Sequence, residues 1–282
     1  MKISILESIK SLPPLPKTIT QIQKIFLDPE SSIADLVKVI EDDPMIIANL
    51  LKAANSPLYS FKKDIKSVSQ AVSLFGMSMT RSIILSNSVR KLLNVDMEPY
   101  ATTSEKFAEV SSKQAALIYS WYKKIDKEKA DKLFLASLLQ ETGKILIASY
   151  IIQHDEVMTF KSEIEMTHNI ATVEKSYVDE TTATVTAAIF EHWEFDTDFV
   201  DMIRYSDFPH LAPPELAEYS TALNIVKTII PVNNPLSEMS INIGLKKASD
   251  AGYDHELLED CIDDMLEASD QNRLKVERQI TP

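Results

Sequence analysis

Few side chains in this chain of 282 residues are spaced for chemistry, and one candidate polar group lies near its middle. Gln140, Glu141 and Lys144 fall within one helical turn. A glutamate and a lysine three residues apart can pair on a helix surface without any further function. The alternative is that these side chains line a polar cleft, with Lys144 as a candidate lining residue. The sequence leaves both interpretations open.

The five histidines show no spacing typical of a metal site, which on a helix places ligands three or four residues apart. His154 and Asp155 are adjacent, and we interpret them as a solvated helix end. His192 precedes Trp193 near a predicted helix end. It is either a structural histidine packed at that end or a second candidate for lining a cleft. The histidines predict no metal ligand.

Cysteine and glycine usage excludes several kinds of site. The single cysteine, Cys261, rules out an internal disulfide and a metal site built from cysteines, and it favours a reducing, cytoplasmic compartment. Only four glycines occur, where ordinary composition gives roughly twenty. Phosphate-binding loops and dinucleotide folds need clustered glycines, so neither is predicted. No serine lies in a Gly-x-Ser-x-Gly motif, and the residues alone predict no catalytic group and no cofactor.

The charge balance limits the partners of the chain. It carries 29 Lys and Arg against 42 Asp and Glu, a formal net charge of −13. Such a balance repels phosphate backbones, so we predict no nucleic-acid partner. The N-terminus lacks the pattern of a signal peptide, and no uninterrupted apolar run approaches the roughly 18 residues that span a membrane. A cytoplasmic protein without a membrane partner is the expectation.

Apolar spacing and capping residues predict an all-α fold. Asp43 before Pro44 is a typical helix start, and Ser67 with Gln70 has the spacing of a capping box. Gly76 can end the helix that follows. The predicted helices cover about 4–10, 17–27, 32–41, 44–54, 67–75, 78–93, 105–122, 127–139, 142–152, 154–167, 169–178, 181–193, 196–205, 213–229, 238–247 and 254–268.

Several short motifs occur together in the N-terminal half. Leu12–Pro16 is a proline-rich turn, Asp43-Pro44 starts a helix, Asn55-Ser56-Pro57 ends it, and Leu74-Phe75-Gly76 ends the next. Their order and spacing resemble the HDOD family, the HD-related output domain of bacterial signalling proteins, over about residues 10–230. The resemblance implies a multi-helical bundle similar to HD-superfamily phosphohydrolases, in which His and Asp side chains bind divalent metals.

The same resemblance implies where those metal ligands would lie. The central His-Asp pair falls on Gln140 and Glu141, the upstream His on Val110, the later His on Thr182, and the last pair on Ser206 and Asp207. All four His positions hold other residues, while Glu141 and Asp207 keep a carboxylate. Val110 and Thr182 cannot complete an oxygen shell for a divalent ion. We therefore expect no metal at this vestigial site and no enzyme activity.

The resemblance also suggests how the chain is organised. An N-terminal helical subdomain over residues 1–97 is expected to pack on a degenerate HD-like helical bundle over 98–245. A connection rich in Thr and Ser around Pro99 would join them. Residues 246–282 read as an acidic helical tail with one apolar stripe.

The turn Asn55-Ser56-Pro57 admits two interpretations. Asn and Ser side chains can satisfy the free backbone groups at helix ends, and proline fixes the reversal of the chain. The turn would then be a cap that sets the angle between two helices. The alternative is a partner-binding surface built around it.

We expect the chain to be a non-catalytic regulatory module of bacterial signal transduction. It would act through protein–protein contacts with partners that the sequence does not identify, as part of motility or stress signalling. One alternative is a residual metal-dependent phosphohydrolase or phosphodiesterase that uses Glu141 and Asp207. The other is a sensor that binds a nucleotide or second messenger in the vestigial cleft without chemistry. Oligomeric state is not predicted.

Overall fold

The protein was analysed as a computed structural model, which describes residues 5–28, 30–56, 58, 64–167 and 169–280, with the backbone alone for residues 27 and 269–280. These ranges contain helices, turns and loops but no strand, which confirms the all-α prediction. The α-helices in chain order are α1 (Ile5–Ile9), α2 (Lys17–Leu27), α3 (Ile33–Glu41), α4 (Pro44–Ala54), α5 (Val68–Leu92), α6 (Ser104–Lys123), α7 (Lys127–Leu139), α8 (Gly143–Gln153), α9 (Val157–Met166), α10 (Ile170–Val178), α11 (Thr182–His192), α12 (Thr197–Arg204), α13 (Pro214–Ile229), α14 (Glu238–Asp250) and α15 (His255–Ile280).

The predicted helix starts are explained by their caps. Asp43 Oδ1 accepts hydrogen bonds from Met45 N at 3.0 Å and Ile46 N at 3.2 Å, which fixes the start of α4. Ser67 Oγ accepts from Gln70 N at 3.2 Å at the start of α5. In the expected capping box Gln70 Oε1 would accept from Ser67 N, but it accepts from Lys66 N at 2.9 Å instead. The helix start was therefore predicted correctly, with a different partner for Gln70.

Gly76 interrupts α5, as the sequence predicts. Its φ of 74° and ψ of 171° are not helical, so α5 consists of two segments joined at this residue. A positive φ is readily available only to glycine. On one side α5 contacts α2, α3 and α4, and on the other it contacts α7. The break thus lies in the helix that links the N-terminal helices to the bundle.

Some helix boundaries differ from the predictions. Asp155 adopts a φ of 58° just after α8, so α9 begins at Val157 and not at 154. The last helix continues to Ile280, well beyond the predicted end at 268. Two short 3₁₀ helices, Glu98–Tyr100 and Pro209–Leu211, were not predicted, because runs this short carry little periodic signal.

The bundle is built around α6 and α7, with α13 across both. Trp121 and Tyr122 near the end of α6 are fully buried, and the hydroxyls of Tyr122 and Tyr253 are 2.9 Å apart. The N-terminal α1 packs on α8 and α11 of the bundle. Trp193 Nε1 also donates to Pro13 O at 3.1 Å. The division at residues 97 and 245 stays a prediction.

Lys127–Gln153, which contains α7 and α8, is the one stretch among the described residues that is long and apolar enough to cross a membrane. Its most apolar window has a mean hydropathy of 1.2, and 72% of that window is buried inside the protein. Core helices of soluble proteins have this character. The stretch therefore belongs to the core of the bundle.

Candidate functional site

The candidate site lies where α7 ends and α8 begins. Gly143, the first residue of α8, touches the start of α11, and a Cβ there would be 2.5 Å from Thr182 O. Gly143 N donates to Thr186 Oγ1 at 2.8 Å, and Thr186 Oγ1 donates to Gln140 O at 3.0 Å. Only glycine permits this approach. It brings Gln140, Glu141 and Lys144 against the N-terminus of α11, where they belong to one buried polar network.

Lys144 is the centre of a buried charge network. Its side chain is 3% exposed, and its ammonium lies 2.9 Å from Glu174 Oε1 and 3.1 Å from Glu141 Oε2. The ammonium also donates to Thr182 Oγ1 at 2.8 Å, and it lies 5.0 Å from the centre of the Tyr100 ring. The i, i+3 pair of Glu141 and Lys144 is thus a buried interaction and not a surface one.

Glu174 was missed by the sequence reasoning. Its carboxylate accepts from Thr182 N at 2.6 Å, from Thr182 Oγ1 at 2.5 Å and from Tyr100 OH at 2.9 Å. A signal did exist, because Glu174 lies four residues from both Ile170 and Val178 on the inner face of α10. A lone carboxylate on an apolar helix face is expected to have a buried partner.

Asp207 forms a second ion pair with a residue that the sequence reasoning also missed. Its Oδ1 lies 2.6 Å from Lys227 Nζ, and its Oδ2 accepts from Ala183 N at 3.0 Å. Lys227 is the one charged residue in the segment from Ala222 to Ile229 of α13, which is mostly apolar. That charge was the available signal, although it does not identify the partner.

A glutamine from α6 completes the network. Gln114 Nε2 donates to Glu141 Oε1 at 3.1 Å and to Ile230 O at 2.8 Å, while Gln114 Oε1 accepts from Gln140 Nε2 at 2.9 Å. Val110, placed at the upstream His position, lies one turn earlier on α6 and is buried. The polar contribution of α6 is therefore Gln114, which the sequence reasoning did not select.

The two lysines hold the carboxylates in their charged forms. Burial acts to raise the pKa of Glu141, but the charges of Lys144 and Lys227 and the Gln114 hydrogen bond outweigh it, so its pKa lies below the usual range. Burial opposes the charge of Lys144 as well, yet Glu141 and Glu174 raise its pKa. Despite burial, Lys227 lowers the pKa of Asp207 to about 2.

These residues do not fit the divalent metal that the HD fold family implies. The surviving carboxylates, Glu141 and Asp207, are paired with ammonium groups, whose positive charge would repel a metal ion. Buried oxygens without a hydrogen-bond partner remain on Gln140, Ser206 and Glu141; the first two are neutral, and the Glu141 oxygen, Oε2, lies 3.1 Å from the Lys144 ammonium. Among the described residues, no group of three or more His, Cys, Asp or Glu is arranged to hold a metal.

His192 does not line the cleft, and that prediction was wrong. It is exposed at the end of α11, whereas the site meets the beginning of α11 at Thr182. Ten residues of helix separate the two positions by about 15 Å. His154, the neighbour of Asp155, stacks on Tyr150 and has Nδ1 2.8 Å from Tyr150 O, as expected of a helix end.

The turn after α4 has the contacts of a cap. Asn55 Nδ2 donates to Leu51 O at 2.8 Å and to Ile65 O at 2.9 Å, and Asn55 Oδ1 accepts from Ile65 N at 2.8 Å. Ser56 Oγ accepts from Leu58 N at 3.4 Å, while Pro57 lies outside the described residues. These bonds tie α4 to the segment before α5. A partner-binding role for the turn stays a prediction.

The network forms the floor of a pocket of about 480 Å³. Glu141, Lys144, Asp207 and Lys227 all reach it, so the vestigial site opens into a cavity and is not sealed. A second concavity, of about 1000 Å³, lies between α4, α5, α6 and α15, where Ser56 and Cys261 are among the lining residues.

Comparison with solved structures supports the fold. A provisionally assigned signal transduction protein from Marinobacter aquaeolei VT8 has a TM-score of 0.72 at 20% identity, over 96% of this chain and 60% of that chain. A provisionally assigned phosphohydrolase from Shewanella amazonensis SB2B has a TM-score of 0.71 at 18% identity, over 93% of both chains. An HDOD domain protein with unknown function from Geobacter sulfurreducens has a TM-score of 0.70 at 17% identity, over 94% of both chains.

Comparison of sequences gives the family. An uncharacterized protein of Treponema pallidum (strain Nichols) is 23% identical over 235 residues, which are 79% of this chain. The chain spans 42% of the length of that relative. The family described as HDOD domain matches residues 12–209. This match covers most of the chain and includes Gln140, Glu141, Lys144 and Asp207, and the chain belongs to the HDOD family of signalling domains.

Proposed function

We propose that this HDOD chain is a non-catalytic regulatory module of bacterial signal transduction that acts through protein–protein contacts. The observation that carries the non-catalytic part is the pairing of both surviving carboxylates with lysines. Glu141 is paired with Lys144, and Asp207 with Lys227. The bacterial setting and a link to motility or stress signalling rest on the family, and the cytoplasmic setting rests on the single cysteine.

The chemistry of an ammonium group explains why pairing the two carboxylates with lysines, and not with a metal, argues against hydrolysis. A divalent metal in an HD-type site polarises the phosphoryl group and lowers the pKa of a bound water. Lys144 and Lys227 supply positive charge to the same carboxylates, but an ammonium has no empty coordination position for water. Lysines in place of a metal ion keep the buried carboxylates neutralised, but they do not supply the group that would activate the nucleophile.

A residual metal-dependent phosphohydrolase or phosphodiesterase is the competing function. One structural relative is a provisionally assigned phosphohydrolase, and Glu141 and Asp207 are the carboxylates such an activity would use. Metal analysis of protein purified without chelator, together with hydrolysis of bis(p-nitrophenyl) phosphate in added Mn²⁺, separates the two functions. We expect neither a stoichiometric divalent ion nor activity above a heat-denatured blank. A stoichiometric ion that is lost in Glu141→Gln, or turnover lost in that variant, would overturn the proposal.

The protein-contact part of the proposal has its own test. The tagged full chain would serve as bait in cytosol of the source organism, with an unrelated helical protein of similar net charge as the control bait. We expect at least one protein partner that is retained by the chain alone and binds it again when both are purified. If no retained protein binds the purified chain, the protein-contact proposal fails, whatever the metal analysis gives.

A further inference from the structure

The lysines that line the pocket over the charge network differ in how many of their hydrogen-bond donors are already used. Lys144, on the floor, directs its ammonium at Glu141, Glu174 and Thr182. An ammonium has three donors. Two of those of Lys144 are hydrogen-bonded to Glu174 and Thr182, and its ion pair with Glu141 at 3.1 Å holds the ammonium toward the floor. Further donors for a molecule in the pocket come from other residues of the lining.

Two further lysines on the α13 and α14 wall do retain free donors. Lys227 uses one of its three on Asp207 Oδ1. Lys247 donates to Asn224 Oδ1 at 2.8 Å and to Thr228 Oγ1 at 2.9 Å. Asn224 and Thr228 are four residues apart and share one face of α13, and Asn224 lies three residues before Lys227; the charge of Lys227 acts on Lys247. The ammonium of Lys247 therefore lies next to Lys227, and three donors of the pair are unspent.

Lys247 differs from the lysines of the floor because both of its hydrogen-bond acceptors are neutral. Its pKa is lowered by burial and by the neighbouring charge of Lys227, while Asp207 opposes the shift only partly. The residue is exposed although its ammonium is partly desolvated, and it lines the pocket, so a molecule that enters the pocket can reach it. At this wall of the pocket the protein provides two ammonium groups but only one carboxylate in contact with them, Asp207.

Other parts of the lining are mixed, with polar residues such as Glu165, Asn169 and Asn233 beside apolar ones. Ile170 and Ala171 come from the start of α10, Val232 from the loop after α13, and Met239 and Ile243 from α14. A pocket of about 480 Å³ is within the range of small-molecule sites, which combine apolar walls with a few placed polar groups. The lining therefore fits a molecule with an apolar body and a charged head.

We propose that this pocket binds a small organic oxyanion, whose phosphoryl or carboxylate head is held by Lys227 and Lys247 and whose body lies against Ile170, Met239 and Ile243. The head would supply the anionic partner that Lys247 lacks. The proposed site is formed by Lys227 of α13 and Lys247 of α14 and involves no metal. The bound molecule is a ligand and not a substrate. It goes beyond the proposed function by giving the regulatory module a chemical input.

Isothermal titration calorimetry of the full chain at constant ionic strength tests the proposal. The probes are adenosine 5′-monophosphate, inorganic phosphate and hexanoate. The variant is Lys247→Ala, and the matched control is Lys246→Ala, one residue away on α14, exposed and outside the pocket lining. We expect a saturable 1:1 isotherm for adenosine monophosphate or hexanoate, weakened about tenfold or more in Lys247→Ala and unchanged in Lys246→Ala.

The probes also separate the sources of the oxyanion. Binding of adenosine monophosphate and phosphate indicates a phosphoryl head, and binding of hexanoate indicates a carboxylate head. No isotherm with any probe up to about 10 mM, or equal weakening in both variants, overturns the inference. Recovered adenosine monophosphate is then analysed by chromatography. Its hydrolysis would contradict the non-catalytic proposal, whereas absence of binding would leave that proposal intact.

Discussion

The ammonium of Lys144 lies 2.9 Å from the carboxylate of Glu174, and the two side chains are 3% and 0% exposed. Neither group would be stable alone in this interior, because an isolated buried charge costs several kcal/mol. The pair therefore keeps both groups of this polar site in their charged forms. It also makes the site a sensitive point for the stability of the bundle.

Removing the Lys144 charge should destabilise the protein severely. Lys144→Met leaves Glu141 and Glu174 buried with less compensation, and breaking a buried pair costs about 3–5 kcal/mol. Urea unfolding followed by circular dichroism measures the change. The control is Lys132→Met, which removes an exposed pair with Glu128 at 3.7 Å and should change the unfolding free energy little. Equal costs for the two variants would show that the buried network contributes nothing to stability.

The Asp207–Lys227 pair should make stability fall at acidic pH. The folded pKa of Asp207 is about 2, below its ordinary value of 3.8. A depressed carboxyl pKa stabilises the folded state above the unfolded pKa, and that stabilisation is lost as pH falls from about 4 through about 2. Asp207→Asn should therefore be less stable at neutral pH and should lose less stability over this window. Parallel pH profiles for the two proteins would contradict the assignment.

Gly143 should not tolerate even one added methyl group. In Gly143→Ala the new Cβ would lie 2.5 Å from Thr182 O and 2.9 Å from Thr186 N, so α8 and α11 must separate. Overpacking of this kind costs about 1–3 kcal/mol, which thermal unfolding measures as a lower Tm. Gln153→Ala, at the exposed end of α8, is the matched control. A Gly143→Ala protein as stable as that control would show that the two helices do not approach this closely.

Asn55 should control local opening of the segment before α5. The amide of Ile65 is bonded to Asn55 Oδ1, so Asn55→Ala should speed hydrogen exchange at Ile65 and lower the unfolding free energy by about 1 kcal/mol. Asn55→Asp keeps the acceptor for that amide but loses both donated bonds. Hydrogen exchange at the Ile65 amide should therefore be slower in Asn55→Asp than in Asn55→Ala. Unchanged exchange in Asn55→Ala would refute the cap.

The helices were predictable because their signals are local. Asp43 with Pro44 and Gly76 act on the backbone within a few residues, and α2, α4 and α7 have the predicted ranges. The short 3₁₀ helices and the start of α9 were not predictable in this way. They depend on single backbone conformations, such as the positive φ of Asp155, which the apolar periodicity does not encode.

The sequence by itself determined the all-α fold and the HDOD family, and through the resemblance it predicted that Val110, Gln140, Thr182 and Ser206 stand where relatives have His. It could not determine which side chains pair with the polar groups at these positions. Glu174 and Lys227 are 30 and 83 residues from Lys144 in the chain, and only the packing of α8 on α10 and α11 and of α13 on α6 and α7 joins them into one network. Burial makes every charge there require a partner, and that requirement exists only in the folded protein.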